Sequence, residues 1–98
     1  MKLFMYSVYD SAAKTYSNPF CGRTDAEAAR GFVDIVSDKK HPFGMHPDCY
    51  TLMRCGVWDD NSCEIIPESP VKVINGVEAA AEASKLVQAD FGQAQGSA

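Results

Sequence analysis

Both histidines of the chain and two of its four cysteines fall within residues 41–60, HPFGMHPDCYTLMRCGVWDD. His41, His46, Cys49 and Cys55 are side-chain types that suit zinc, and a zinc site needs four such ligands converging at roughly 2.0–2.3 Å from the ion. The run His41-x4-His46-x2-Cys49 is compact enough for a loop to turn three ligands inward. Pro42 and Pro47 stiffen it, however, and the spacing matches no common finger. Cys55 lies six residues beyond Cys49. On one strand the two sulfurs would share a face yet stand about 20 Å apart at the strand rise, so one ion cannot reach both. The stretch is therefore read as a loop leading into a strand, metal-free, with its histidines satisfied by neighbours or water.

Other chemistries find less support. No CxxC pair joins Cys21, Cys49, Cys55 and Cys63, so neither a redox motif nor a paired zinc knuckle is written in them, and reduced thiols are expected. G-x-S-x-G, the Walker loop, G-x-G-x-x-G and H-E-x-x-H are all missing. Asp59-Asp60 reads as turn chemistry rather than as a carboxylate pair, and no cysteine has a sequence context that would activate it as a nucleophile. The chain is expected not to be an enzyme and to hold no cofactor.

The elements that position these residues follow from periodicity. KLFMYSVY (2–9) is a strand with Leu3, Met5, Ser7 and Tyr9 on one face and Phe4, Tyr6 and Val8 on the other. Both faces are largely apolar, so both need cover. TYSNPFCGR (15–23) reads as a return strand at an edge, because Pro19 cannot donate to a ladder. Residues 24–38 are the clearest helix. Thr24 and Glu27 form a capping box, and Ala26, Ala29, Val33 and Val36, with Phe32 beside them, make the apolar face. Residues 39–48 are broken by Pro42, Gly44 and Pro47 and cannot be regular. CYTLMRCGVW (49–58) is a central strand, DDNS (59–62) a turn, and CEII (63–66) a strand pairing back and ended by PESP. VKVI (71–74) is a short edge strand or extended connection. A second helix covers 75–91, capped by Asn75 and Glu78, with Val77, Ala80, Ala81, Ser84, Val87 and Phe91 on its packing face. The fold class is α+β: a small antiparallel sheet of four to five strands, one main amphipathic helix and a second C-terminal helix, in one domain over residues 1–91 with a flexible tail at 92–98.

Composition excludes several classes. Apolar residues are 46% of the chain and charged residues 22%, a globular balance that fits neither disorder nor a fibre. No apolar run approaches a membrane span, and the N-terminal segment lacks the features of a signal peptide, so the protein is read as intracellular. The net charge is −4, with residues 1–58 at +1 and residues 59–98 at −5. That positive half is too weak to coat a duplex.

MKLFMYSVYDSAA, PFCGRTDAEAARGFVDIVSD, HPDCYTLMRCGVWDD and CEIIP occur in that order. Together they resemble the small non-structural protein of gokushovirus-type microviruses, which are single-stranded DNA phages. In that family a strand of the type M-K-x-x-x-Y-x-x-Y-D opens the chain. A P-F segment and an amphipathic helix follow, then H-P-x-D-Y-T-L before a strand, closed by a G-x-[FW]-D-[DE] turn. The resemblance covers residues 1–66; Cys49 stands where the family often has an acid. It implies a role in viral genome replication inside the cytoplasm of the infected bacterium, as a DNA-binding protein tied to single-strand synthesis, and it brings no catalytic residues.

Single-stranded DNA binding requires stacking surfaces and local positive charge. The candidates are Arg23, Arg30, Lys39, Lys40 and Arg54 for phosphates, and Tyr6, Tyr16 and Phe20 for bases. The alternative is a non-enzymatic interaction module that binds a viral or host replication or assembly protein. In either case self-association is expected, most simply a homodimer, because one good amphipathic helix does not cover a sheet with two apolar faces.

Overall fold

A computed structural model of the chain describes residues 1–85. It shows an α+β domain with a five-stranded antiparallel sheet and three helices on one side of it. In chain order the elements are β1 (Lys2–Asp10), β2 (Thr15–Tyr16), β3 (Phe20–Gly22), α1 (Asp25–Val36), α2 (Pro42–Met45), a 3-10 turn (Pro47–Cys49), β4 (Tyr50–Asp59), β5 (Ile65–Asn75) and α3, described over 76–85. The sheet order is β2-β1-β4-β5, and β3 also pairs with β1.

Local chemistry sets the turns. The carboxylate of Asp10 accepts hydrogen bonds from the backbone N–H groups of Ala12 and Ala13 at 3.0 and 3.2 Å, and Lys14 takes a left-handed φ of 57° to bring the chain back. The expected return strand at 15–23 is split in two. Pro19 has no N–H for the ladder, so β2 and β3 pair with β1 on either side of it. Between them Ser17 stays attached: its N–H donates to Val8 O at 2.8 Å, and its hydroxyl accepts from Val8 N at 2.9 Å.

β1 and β4 form the centre of the sheet. Their ladder shifts register between Met5 and Tyr6, where β4 carries one residue too many, Cys55. The extra residue is a bulge that re-aims the strand. β5 is longer than expected. PESP does not end it, and 65–75 is one strand whose register shifts twice. Glu68, Ser69 and Pro70 lie between the paired positions Pro67 and Val71, where β4 has only Cys55 between Gly56 and Arg54. Pro70 is tolerated because it lies within this excursion, and Pro67 because β5 is an edge strand.

The helices pack on one sheet face. Tyr6, Val8 and Leu52 join Phe32, Val33 and Val36 of α1 and Ala79 and Ala83 of α3 in the core, with Phe4, Phe43, Tyr50 and Ile74 partly buried against it. Fully burying a side chain such as Leu52 or Val36 contributes roughly 1.5–3 kcal/mol. Helix α1 begins where expected, with Thr24 Oγ1 accepting from Glu27 N at 3.1 Å, but only this half of the expected capping box is formed. Its packing face differs at the alanines: Ala28 is buried, whereas the expected Ala29 is half-buried and Ala26 is exposed. Helix α3 also begins as expected. Asn75 Oδ1 accepts from Glu78 N at 2.8 Å, and Glu78 Oε1 accepts from Asn75 N at 3.0 Å. Its face is a different one, however. Ala79 and Ala83 point into the core and the expected Ala80 packs against it, while Val77 is 57% exposed and Ala81 and Ser84 are exposed too. Val87, Phe91 and the tail at 92–98 lie outside the described residues.

The loop between α1 and β4 is more ordered than its prolines suggest. His41 Nδ1 accepts from Phe43 N at 3.1 Å and so caps α2, whose first residue is Pro42. Phe43 then packs between Phe32 and Tyr50, with ring centroids 5.8 and 4.4 Å away.

Candidate nucleic-acid interface

The expected phosphate ligands fall into two groups. Arg23, Arg30, Lys39 and Lys40 are exposed on α1 and its flanks, and none forms an ion pair among the described residues. Arg23 precedes the helix and Lys39–Lys40 follow it. The 12-residue helix between them spans about 18 Å at 1.5 Å per residue. Arg30 lies midway, on the side of α1 that faces α3. There it borders a hollow of about 340 Å³ together with Val33, Ile74 and Glu82.

Arg54 belongs to the second group and is not a free cation. Its Nη1 donates to Asp25 Oδ2 at 2.7 Å, its Nε lies 3.8 Å from Glu68 Oε1, and its guanidinium sits 5.0 Å from the centre of the Phe4 ring. The Nε is buried without a hydrogen-bond partner; the guanidinium is held by its bond to Asp25 and by the face of the Phe4 ring.

The aromatic candidates divide in the same way. Tyr6 is fully buried, so it offers no ring face to a base. Its hydroxyl donates to Asp25 Oδ1 at 2.8 Å. Burial, then the hydrogen bond to Asp25 and that carboxylate's charge, hold the Tyr6 phenol well above its ordinary pKa. Asp25 therefore receives Tyr6 from β1 and Arg54 from β4 on its two oxygens. The three residues pin the start of α1 to the two central strands. Sequence reasoning missed this clamp. Its partners lie 19 and 29 residues apart in the chain, and no local pattern announces such a contact.

Phe20 is 42% exposed, with its inner face stacked on Tyr6 at 5.8 Å between centroids, and it lies three residues before Arg23. Tyr16 is also exposed and packs on Tyr9 at 4.8 Å. The register places Phe20 opposite Tyr6 and Tyr16 opposite Tyr9, so these two aromatics point to opposite sides of the sheet. Phe20 thus lies on the helix-bearing side, along the flank of α1 opposite to the one that carries Arg30, and Tyr16 lies on the other side of the sheet. Next to Phe20, a groove of about 320 Å³ runs between β3 and α1, lined by Gly31, Phe32 and Ile35.

The zinc candidates do not converge. Among the described residues no three of the His, Cys, Asp and Glu side chains gather closely enough to hold an ion. His41 Nδ1 is occupied in capping α2. All four cysteines are free thiols, and partial burial, with Asp48 and Asp10 nearby, pushes the Cys49 thiol up and away from nucleophilic use.

The described domain thus combines an α+β fold, Arg30 on α1 with three further cations on its flanks, and a Tyr–Asp–Arg clamp at the start of that helix. The chain belongs to the Phage ORF5 protein family, whose model matches residues 3–79, from β1 to the first turn of α3. No curated protein and no solved structure matches the chain. No helix among the described residues is long and apolar enough to cross a membrane.

Proposed function

We propose that this phage protein acts in genome replication by binding single-stranded DNA as an oligomer, in the cytoplasm of the infected bacterium, without catalysing a reaction or holding a cofactor. Membership of a phage family supports the setting, and the resemblance to gokushovirus-type microviruses supplies the single-stranded genome. The observation that carries the reading is the concentration of unpaired cations. Of the six Lys and Arg side chains without a carboxylate partner among the described residues, four lie on α1 and its flanks, while Lys2 starts β1 and Lys14 sits in the turn after it; Arg54, Lys72 and Lys85 are each paired. Phe20 adds an exposed ring three residues before Arg23 in the chain. A stacking ring next to phosphate-binding charge is the combination that holds single strands without reading their sequence. The net charge of −4 repels a phosphate backbone at long range. Affinity therefore depends on this local patch and on several subunits acting together.

Fluorescence anisotropy with a labelled single-stranded oligonucleotide over a salt series tests the reading. About three phosphate contacts per subunit, at about −0.7 each, give a slope of log affinity against log salt near −2. The double variant Lys39→Glu/Lys40→Glu weakens binding and leaves the circular dichroism spectrum unchanged, because both side chains are exposed. No binding at low salt, or an unaffected double variant, refutes the proposal.

The groove between β3 and α1, with Phe20 and Ile35 exposed on its walls, favours a second reading. In it the protein is a non-enzymatic interaction module that takes an apolar segment of a replication or assembly protein. That reading stands if the DNA titration fails.

A further inference from the structure

We infer that the face of the sheet that carries no helix among the described residues is a two-fold interface occupied by a second copy of this chain. The register assigns every sheet residue to a side. Tyr6, Val8 and Leu52, with Phe4, Tyr50 and Ile74, serve the core under the helices. The opposite side carries Leu3, Met5 and Tyr9 from β1, Met53 and Trp58 from β4, and Ile65 from β5. None of these six belongs to the core, and Ile65 is 61% exposed. All three helices lie on the other side.

Charge decides the class of partner. Along β1, β4 and β5 the only charged residue that the register puts on this side is Lys72, opposite Met53, and it is tied to Glu78 at 2.8 Å. A nucleic acid strand laid here would find no free cation for its phosphates. Two copies laid face to face would bring no like charges together.

Shape and area suit a copy of the same face. Across neighbouring strands large residues stand opposite small ones: Met5 opposite Gly56, and Met53 opposite Ser7. Ser7 also lies at a shallow hollow of about 260 Å³, bordered by Tyr16, Pro19 and Pro70. Sheets that pack face to face lie about 10 Å apart with strands inclined by about 30°, so that projections of one enter depressions of the other. Four strands at ~4.8 Å spacing and about nine residues at ~3.3 Å give a footprint on the order of 550 Å². With its corrugation, that approaches the ~800 Å² per partner of a specific interface. The pairing leaves α1 and its cations on the two outer surfaces. The interface therefore does not rest on the DNA reading and can fail or hold independently of it.

Sedimentation equilibrium of the full chain over a micromolar concentration series tests the inference. The expected mass is twice the 10.7 kDa of one chain. The chain has one tryptophan, so Trp58 emission reports on the face directly: it shifts to longer wavelength and becomes open to iodide as the protein is diluted. Met53→Glu returns the mass to that of one chain while circular dichroism is retained. If that variant does not fold, the dilution series on the unaltered chain still decides. A single-chain mass throughout overturns the inference. So does a monomer in which Trp58 is shielded from iodide, because residues 86–98 would then cover the face. A monomer whose Trp58 emission is quenched by single-stranded DNA also overturns it and assigns the face to nucleic acid. A dimer unaffected by a folded Met53→Glu variant overturns the assignment of this face.

Discussion

A β-carbon on Gly76 would fall on the carbonyl oxygen of Pro47. The first residue of α3 and the 3-10 turn before β4 are in contact there with no room for a side chain. This latch ties the end of β5 to the lead-in of β4. Gly76→Ala forces one backbone segment away from the other. Overpacking usually costs 1–3 kcal/mol, and a clash with rigid backbone belongs at the upper end, about 3 kcal/mol. The urea midpoint should fall accordingly. Gly44→Ala should behave alike, because its β-carbon would fall on the Asp38 carbonyl oxygen.

Gly31 gives the opposite result. It lies in the middle of α1, is exposed, and a β-carbon there meets nothing within 4 Å. Gly31→Ala should raise stability by about 0.5–1 kcal/mol through helix propensity alone. An unchanged or lowered melting temperature would contradict this.

The Tyr6–Asp25 hydrogen bond gives a signature in alkali. The folded state holds the phenol proton well above the ordinary value, and burial is the first cause. An unfolded tyrosine ionises near 10, so above that pH the unfolded chain releases a proton that the folded chain keeps. Stability contributed by this site is complete below about pH 10 and declines as the pH rises further. Tyr6→Phe should lose about 1.5–3 kcal/mol at neutral pH, as expected for a hydrogen bond to a charged acceptor. It should also flatten the alkaline limb of a stability-against-pH curve. A Phe variant with the wild-type limb would show that the slope comes from other groups.

In acid the sign reverses at Glu78. The Lys72 ammonium, then the backbone N–H of Asn75, hold its carboxyl below the usual range. Stability from this group is present above the unfolded glutamate value and is lost as the pH falls through the folded one. Glu78→Gln keeps an acceptor for Asn75 N but cannot ionise, so its stability should depend less on pH below about 4.5 than that of the wild type. Chemical denaturation at several acidic pH values measures the difference.

Both long helix starts were legible because caps are local. Thr24–Glu27 and Asn75–Glu78 make their bonds within three residues. The packing faces were less so. Alanines at 26, 28 and 29, and again at 79, 80, 81 and 83, give little contrast in hydropathy. Which of them are buried depends on how the helix is rotated against the sheet. The strand through Pro67 and Pro70 was hidden because prolines normally end strands, and only the single-residue Cys55 bulge opposite them makes the excursion compatible with pairing. At the candidate interface, Arg23, Arg30, Lys39 and Lys40 are exposed but spread over both ends and one flank of α1. Tyr6 and Arg54 were misread because an aromatic and a cation look the same in sequence whether they face solvent or a carboxylate across the fold.

The broken strand β5 also limits how the protein can grow. It is an edge strand of eleven residues with Ile65, Ile66 and Val71 exposed. Unbroken, such an edge would recruit further copies strand by strand into fibres. Pro67 and Pro70 remove two N–H donors, and residues 68–70 bow out between them, so no long straight row of donors and acceptors remains to be copied. Strand-by-strand growth through the sheet is disfavoured at this margin.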